Sequence, residues 1–190
     1  MKLYEKLPDS VTVNGKKIRL DLDFRNVLRM LDIMRTEYMM PEAREYLALK
    51  CICRHPKPGM MDSVNALLFP KPENKSEHQR ITDFEQDADL IRAAFMQEYG
   101  INLYRDKLHW FEFMALMAGL PQGSRYTEIL SIRARPIPAL TKYNADERNW
   151  LIRAKAEYAI KTDEREQARN YERNVHQIGQ ALASFFGGGE

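Results

Sequence analysis

The feature that most constrains this chain is a block of large apolar residues, many of them aromatic, between Asp83 and Arg133. They recur every three or four positions, which places their side chains on one face of an α-helix. Gly100 suits the end of the first predicted helix, and Gly119 with Pro121 suits the end of the second. The apolar residues of the three predicted helices are, in chain order, Phe84, Ala88, Ile91, Phe95 and Tyr99, then Leu108, Trp110, Phe113, Leu116 and Met117, then Tyr126, Ile129, Leu130 and Ile132.

The N-terminal part combines a predicted β-hairpin with helices. Residues 11–13 and 17–20 alternate in polarity on either side of Asn14-Gly15, a dipeptide that favours a type I′ turn. Because an isolated hairpin is marginal in water, we expect it to pack on the helices that follow. Asp23 is a suitable N-cap for the first of these helices, whose apolar residues are Phe24, Val27, Leu28, Leu31 and Met34. Pro41 suits the first turn of the second helix.

We therefore predict a mainly α fold of the α+β class, with the hairpin packed on a helical body. Residues 1–70 form the hairpin and first helices, residues 80–140 the central helical block, and residues 145–190 a long charged C-terminal helix. The polar, proline-containing stretch 70–79 is a linker or exposed loop. The C-terminal helix is expected to project from one compact domain, because its apolar stripe is sparse and consists of Trp150, Leu151, Ala154, Tyr158, Val175, Ile178 and Leu182.

Composition narrows the classes of function. The 29 basic and 27 acidic residues leave a net charge of +2, so no strong field draws the protein to nucleic acid or to an anionic membrane. No segment approaches the roughly 20 apolar residues of a membrane helix, and the N-terminus lacks the apolar stretch of a signal peptide. The only two cysteines, Cys51 and Cys53, are too close to join distant parts of the chain. These features favour a reducing cytoplasm.

Two clusters have metal-binding residue types. Cys51, Cys53 and His55 lack the CxxC spacing and the second pair of ligands that a zinc site uses, so we expect packing residues near a helix end. The second cluster is acidic and comprises Asp83, Glu85, Asp87 and Asp89. Carboxylates of this kind could bind a hard cation or serve acid–base chemistry. However, the cluster lies in a predicted first helical turn, where the helix dipole favours acidic residues, so we expect it to cap the helix. We expect neither a metal nor another cofactor.

The histidine and the arginines of the central block do not predict an enzyme. His109 could act as a general base, but no Ser or Cys stands in a recognisable nucleophile motif, so we expect it to pack at a helix start. No glycine-rich phosphate loop accompanies the basic cluster, so we expect ion pairs from Arg125, Arg133 and Arg135. Since no constellation satisfies the requirements of a catalytic site, we expect a protein that is not an enzyme.

The central block also has a specific residue order, which reads Asp83-Phe84-x-x-Asp87-Ala88-x-x-Ile91-x-x-x-Phe95-x-x-x-Tyr99-Gly100-Ile101-x-Leu103, then Leu108-His109-Trp110-x-x-Phe113-x-x-Leu116-x-x-Gly119-Leu120-Pro121, with Ile129 and Arg133 beyond. This order resembles the phage "gene product fifteen" family of long-tailed, siphovirus-type phages and their prophages. The resemblance is strongest over residues 83–135, and the charged segment after Tyr143 matches no motif. Phe111 stands where a second Trp is frequent in the family, and Asn102 where Asp is frequent.

The resemblance implies a tail assembly chaperone. Members of the family are encoded between the major tail protein and the tape measure protein, where such chaperones are usually found. Chaperones of this class coat the long, helical tape measure protein, keep it soluble and help recruit tail tube subunits. The implied partners are the tape measure protein and the major tail (tube) protein, together with self-association. Membranes and nucleic acid are not expected partners.

A helix-binding groove is the site that this function would need. We expect the groove near the large aromatic residues of the family-like block, with partner contacts from Tyr99, His109, Trp110 and Phe113. The implied location is the host bacterial cytoplasm, and the protein is expected to be absent from the mature virion.

Two other functions remain open at this point. One is a structural tail or neck component that is retained in the virion, which mass spectrometry of purified particles would detect. The other is a nucleic-acid-binding or regulatory phage protein, for which the motivation is Arg125, Arg133, Arg135 and the basic residues near the C-terminus. Salt-dependent binding to DNA or RNA would identify that class.

Overall fold

A computed structural model describes residues 4–36, 38–70 and 80–161 of the chain. These residues form one two-stranded antiparallel sheet and seven α-helices, which confirms the predicted mainly helical fold with an N-terminal hairpin. In chain order the elements are β1 (Ser10–Val13), β2 (Lys16–Arg19), α1 (Phe24–Arg35), α2 (Pro41–Ile52), α3 (Met60–Leu68), α4 (Ala88–Tyr99), α5 (Trp110–Ala118), α6 (Arg125–Ala134) and α7 (Ala145–Glu157).

The hairpin turns at the predicted dipeptide. Asn14 and Gly15 have φ angles of 49° and 73°, the left-handed values that a type I′ turn requires at both central positions. Val11 lies opposite Ile18 in the antiparallel register. Val11 and Val13 are buried, and β1 packs against α3. The helical body therefore supports a hairpin that would be marginal alone.

The first two helices pack along each other more extensively than any other helix pair in the described chain. Asp23 caps α1, because its carboxylate accepts the backbone N–H of Arg25 at 3.0 Å. Pro41 occupies the first turn of α2, where its missing N–H has no cost. The side chains that these two helices bury are Phe24, Val27, Met30, Ala48, Leu49 and Ile52.

Aromatic rings form the centre of the core, and Phe113 of α5 lies in the middle of them. Its ring stacks on Phe24 at a centroid distance of 4.7 Å and on Phe95 at 5.3 Å. Trp110 and Phe84 each lie 6.0 Å from the same ring. These separations suit stacked and tilted aromatic pairs. Phe24 belongs to the N-terminal part and the other rings to the central block, so the two parts share one core.

Backbone hydrogen bonds join the same two parts. The N–H of Phe24 donates to the carbonyl of Leu108 at 3.0 Å, and the N–H of Trp110 donates to the carbonyl of Leu22 at 2.7 Å. Each bond joins the first residue of one helix to the residue two positions before the other helix. The two bonds flank the antiparallel bridge between Asp23 and His109, so α1 and α5 begin side by side.

The C-terminal helix begins as predicted and packs on α6 through buried Leu151 and Ala154. It ends at Glu157. The chain beyond it is held by side chains of other elements, and the carbonyl of Tyr158 accepts Arg133 Nε–H at 2.6 Å. Residues 162–190, over which the predicted helix would continue, lie outside the described part of the chain.

Candidate functional site

A buried ion pair fixes the start of α4, which forms one wall of the candidate site. Arg133 of α6 donates from both terminal nitrogens to the two carboxylate oxygens of Asp87, at 2.7 and 2.8 Å. Both side chains are almost fully buried, with 1% of Asp87 and 6% of Arg133 exposed. Such a bidentate pair has a defined geometry. The prediction of ion pairing for Arg133 is therefore confirmed.

The acidic cluster divides into different roles. Asp83 caps the turn before α4, because its Oδ1 accepts the N–H groups of Glu85 and Gln86, both at 2.9 Å. Asp87 occupies the N-cap position of α4 but makes no side-chain cap bond to that helix. The capping prediction is thus confirmed for Asp83 and wrong for Asp87, because the buried Arg133 guanidinium engages its carboxylate instead.

An open groove lies between α1 and the N-terminal half of α4. Each helix packs mainly against other elements, α1 against α2 and α4 against α6, so a channel is left between them. The channel has two sections of about 310 and 540 Å³. The two sections share five lining residues and are therefore one continuous groove, with Leu28, Asp32, Phe84, Ala88 and Arg92 in common.

The floor of the α1/α4 groove is aromatic and rigid. Phe24, Phe84 and Phe113 line it, and the last two rings are 6.0 Å apart. Phe113 is 1% exposed and Phe24 5%, so the core holds both rings from behind. Phe84 is half-buried and is the most exposed of these three rings. A floor of this kind can accept apolar side chains without rearrangement.

One end of the groove is closed by the loop after α4. Tyr104 lies in that loop, and the guanidinium of Arg92 sits 4.4 Å above its ring. Arg25 donates to the backbone carbonyls of Tyr104 at 3.4 Å and Asp106 at 3.3 Å, which ties the loop to α1. The other end of the groove lies between Arg35, the last residue of α1, and Glu85, in the turn that precedes α4.

The rim of the groove is charged, with more basic than acidic side chains. An apolar floor with a charged rim suits an amphipathic helix, because apolar anchors enter the groove while polar flanks meet the rim. The charged residues that line the two sections are Arg25, Arg29, Asp32, Arg35, Glu85 and Arg92.

The four residues predicted to contact a partner do not form one exposed surface. Trp110 is 2% exposed and fills the core beside Phe113. Tyr99 is half-buried, and its hydroxyl donates to the carbonyl of Leu116 at 2.9 Å. The open groove is not around these aromatic residues, and Phe113 is the one of the four that lines the α1/α4 groove. Their direct contact with a partner remains a prediction.

His109 begins α5 and forms a capping box with Glu112. Its Nδ1 accepts the N–H of Phe111 at 3.3 Å, and Glu112 Oε2 accepts the N–H of His109 at 3.0 Å. Its Nε2 lies 3.2 Å from the carbonyl of Pro8. Both ring nitrogens are therefore engaged, and the prediction that His109 packs at a helix start is confirmed.

The cysteine cluster has a structural explanation. Within the described ranges, no group of three potential metal ligands comes together. Cys53 is buried in the core. Burial also raises the pKa of the Cys51 thiol, which disfavours the reactive thiolate.

Sequence reasoning missed most of the groove. Leu28, Leu31 and Ala88 belong to the apolar faces of predicted helices, but no sequence pattern marks Arg29 or Asp32 as residues of a groove. The sequence feature that points to a groove wall is the apolar stripe of α1, which charged residues flank closely. The sequence alone does not reveal that α4 lies opposite.

Comparison with protein families gives one match. The model of the family described as "Bacteriophage Gp15 protein" matches residues 3–160, which is more than half of the chain. The chain belongs to the Bacteriophage Gp15 protein family. The matched range covers both helices of the groove and the Asp87–Arg133 pair, and the suspected family resemblance is therefore confirmed.

Comparisons with curated proteins and with solved structures find no match. For this Gp15-family chain, none of the helices in the described ranges has the length and apolarity that a bilayer span requires.

Proposed function

We propose that this Gp15-family protein is a tail assembly chaperone that binds the tape measure protein, keeps it soluble and helps recruit major tail tube subunits. The observation that carries the proposal is the α1/α4 groove, with its aromatic floor and charged rim. Helix-in-groove binding uses apolar anchors spaced along one helix face. The tape measure protein implied by the family resemblance is a long helical chain that would offer such faces repeatedly.

A releasable chaperone requires modest affinity at each site. Many copies bound along one polymer hold it by multivalency, so individual contacts can remain weak. The groove fits that requirement, because it is open and its anchoring surface is limited to a few side chains such as Phe84 and Ala88. The proposed location is the host bacterial cytoplasm. In this proposal the protein is not an enzyme and requires no cofactor. Its copies associate with one another along the tape measure protein, and they are released before the virion is mature.

The test is co-expression with the cognate tape measure protein. Ala88 lines both sections of the groove, so Ala88→Phe should fill it. Loss of an anchor site of about 2 kcal/mol would weaken binding roughly thirtyfold. We expect the tape measure protein to become insoluble with Ala88→Phe. Pull-down and sedimentation measure the effect, and thermal unfolding verifies the fold.

The matched control is Ala93→Phe, at an exposed position of the same helix. It should leave the tape measure protein soluble. If Ala88→Phe loses stability, the rim variant Arg29→Glu with Arg35→Glu replaces it, because both side chains are exposed. A soluble tape measure protein with folded Ala88→Phe or with the rim variant would contradict the groove assignment.

The two other functions have distinct tests. A structural tail or neck component would be found by mass spectrometry of purified virions, from which a chaperone should be missing. A nucleic-acid-binding protein would show affinity that falls steeply with salt. The buried or paired state of Arg133 and Arg135 favours neither phosphate binding nor a basic surface at that cluster.

A further inference from the structure

Helix α2 carries apolar side chains on two sides, and in the described part of the chain only one of these sides is covered. The covered side packs mainly against α1 and buries Ala48, Leu49 and Ile52. On the other side Tyr46 is 51% exposed and Leu47 is 43% exposed. A surface helix ordinarily has a single apolar stripe, which faces the core. The second stripe of α2 is therefore a candidate contact surface.

The uncovered side of α2 has a regular order along the helix. Its residues recur at the three- and four-residue spacing that places side chains on one helical face. All of them are exposed. The face has an apolar centre, with an acidic residue at its N-terminal end and a basic residue at its C-terminal end. We call it the α2 outer face, and it consists of Glu42, Ala43, Tyr46, Leu47 and Lys50.

The two charges of the α2 outer face lie at opposite ends of the helix. Glu42 is in the first turn and Lys50 in the last turn, so each charge suits the helix dipole at its own end. Lys50 Nζ donates to the carbonyl of Arg54 at 2.9 Å and lies 5.8 Å from the ring centroid of Tyr46. Tyr46 is midway between the two charges, which are about 12 Å apart along the helix axis.

This arrangement complements itself when a second copy of α2 lies antiparallel to the first. Glu42 of each copy then meets Lys50 of the other, because both residues are four positions from Tyr46. A parallel copy would instead bring like charges together at both ends, and like charges repel. A two-fold contact between identical copies requires a patch that complements itself. The α2 outer face meets that requirement in the antiparallel arrangement.

The α1/α4 groove does not complement itself in this way. Its rim has more basic than acidic side chains, so two copies would repel each other there. The two sections of the groove are lined by residues other than the five of the α2 outer face. A contact through the outer face therefore leaves the groove of each copy open to another helix.

We propose that two copies of this protein associate through the α2 outer face, with their α2 helices antiparallel about a two-fold axis at Tyr46. The proposal deepens the proposed function, on which it rests only for the use of the pair: it names the surface through which copies associate along the tape measure protein. A pair carries two α1/α4 grooves, and two linked sites hold a polymer more firmly than one. The contact itself requires no tape measure protein.

The first test is the oligomeric state of the full chain without any partner. We expect sedimentation velocity over a wide range of concentration to show a monomer–dimer equilibrium. Leu47→Asp places two carboxylates in the apolar centre of the pair, where burial of a charge is costly. This variant should raise the Kd of the dimer at least about tenfold, as the loss of a central anchor does.

The matched control is Met96→Asp, because Met96 of α4 is 45% exposed, close to the 43% of Leu47. It should dimerise like wild type, and thermal unfolding should show that both variants are folded. If Leu47→Asp loses stability, Ala43→Glu replaces it on the same face. A wild-type chain that stays monomeric, or a dimer that withstands the folded outer-face variant, would overturn the proposal.

Charge reversal tests the antiparallel order of the two helices. Glu42→Lys and Lys50→Glu each replace two attractive contacts of the pair by two repulsive ones, so each variant alone should dimerise about tenfold more weakly than wild type. In an equimolar mixture, opposite charges face each other again at both ends. We expect mixed dimers with an affinity close to that of wild type. One variant carries ¹⁵N, so native mass spectrometry identifies the mixed pairs.

The control for charge reversal is the pair Glu98→Lys and Lys142→Glu, which makes the same changes of net charge at exposed positions elsewhere. Each of these variants alone should dimerise like wild type. Single outer-face variants that dimerise like wild type, together with a mixture that dimerises more tightly than wild type, would indicate parallel helices and overturn the antiparallel pair.

These outcomes separate the pair from the chaperone function. A monomeric chain whose Leu47→Asp variant loses the tail tube subunit in a pull-down would assign the α2 outer face to a different protein and remove the pair. A monomeric chain that still requires an open groove to keep the tape measure protein soluble would leave the proposed function standing. A dimer that depends on Leu47, with a tape measure protein that ignores Ala88→Phe, would do the reverse.

Discussion

At the scale of single residues, Arg133 joins three segments that are distant in the sequence. Besides the pair with Asp87, its guanidinium donates to the carbonyl of Ile81 at 2.9 Å and to that of Tyr158 at 2.6 Å. Burying a charge is costly unless it is paired and hydrogen-bonded, and here every terminal nitrogen has an acceptor. The pair therefore determines where α4 begins and where the chain after α7 lies.

Breaking this pair should be strongly destabilising. We expect Arg133→Met and Asp87→Asn each to lower the free energy of unfolding by about 3–5 kcal/mol, because each leaves a buried partner unpaired. The double variant should lose less than the sum of the two. Urea denaturation of the four proteins measures this coupling.

The control for this cycle is Arg135→Met. The side chains of Arg135 and Glu147 are about half exposed, and exposed pairs contribute about 0–1 kcal/mol. A loss below about 1 kcal/mol for Arg133→Met would contradict the assigned role of the buried pair.

Asp83 and Asp23 make stability depend on pH. Burial raises the pKa of Asp83, but the N–H groups of Gln86 and Glu85 and nearby arginine charges outweigh it, so its pKa is below the ordinary value. Burial likewise raises the pKa of Asp23, and the bonds and charge of Arg25 bring the net pKa down. A carboxyl with a lowered folded-state pKa stabilises the fold above its unfolded-state pKa.

We therefore expect the free energy of unfolding to fall as the pH drops through about 4 and below, towards the lowered folded-state values. Asp83→Asn should flatten this dependence, because the variant has no carboxyl to protonate there. Denaturant titrations between pH 3 and 6 measure the slope, with exposed Asp62→Asn as the control for the loss of one charge. An unchanged slope in Asp83→Asn would contradict the assignment.

At the scale of the elements, the C-terminal end of α4 determines how one end of the α1/α4 groove is closed. α4 ends at Gly100, whose φ of 67° is left-handed. The N–H of Ile101 donates to the carbonyl of Phe95 at 3.2 Å, which completes a Schellman-type end. The chain then turns into the loop that carries Leu103 and Tyr104 to the closed end of the groove.

Gly100→Ala should destabilise the fold by about 1–2 kcal/mol, the cost of a left-handed conformation for a residue with a Cβ. No atom lies within 4 Å of the position that this Cβ would take, so the effect is conformational rather than steric. Thermal unfolding measures it. Gln97→Ala, at an exposed position of the same helix, should change stability by less than about 0.5 kcal/mol, and equal effects of the two substitutions would contradict this account.

At the scale of the whole molecule, the hairpin, the first helices and the central block share one core. Phe24 and Phe113 stack across the boundary between the parts at 4.7 Å. Trp110 lies in the same core, whereas Trp150 on α7 is half exposed. A shared core predicts that the two parts unfold together.

We expect one cooperative transition for residues of both parts. In Trp150→Phe, fluorescence reports Trp110 alone, and its urea transition should coincide with that of far-UV circular dichroism. The same comparison in Trp110→Phe, where Trp150 reports on α7, shows whether that helix follows. Two separated transitions in Trp150→Phe would contradict a single core.

Local patterns in the sequence determined much of this protein. The Asn14-Gly15 turn, the helical faces, the glycine after α4 and the histidine at the start of α5 follow from local stereochemistry and capping. The order of residues in the central block indicated the family that the match over residues 3–160 confirms. The turn, the helical faces and the helix ends depend on contacts between residues that are close together along the chain.

Tertiary structure decided which apolar residues became core and which became a surface. Trp110 and Phe113 have the spacing of groove anchors, but they pack beneath the first helices. The groove instead arises because α1 packs on α2 and α4 packs on α6, which leaves a channel between α1 and α4. Asp87 became a buried ion-pair partner because Arg133, 46 residues away, reaches it. Such long-range packing depends on how separate helices meet, and helical periodicity carries no record of it.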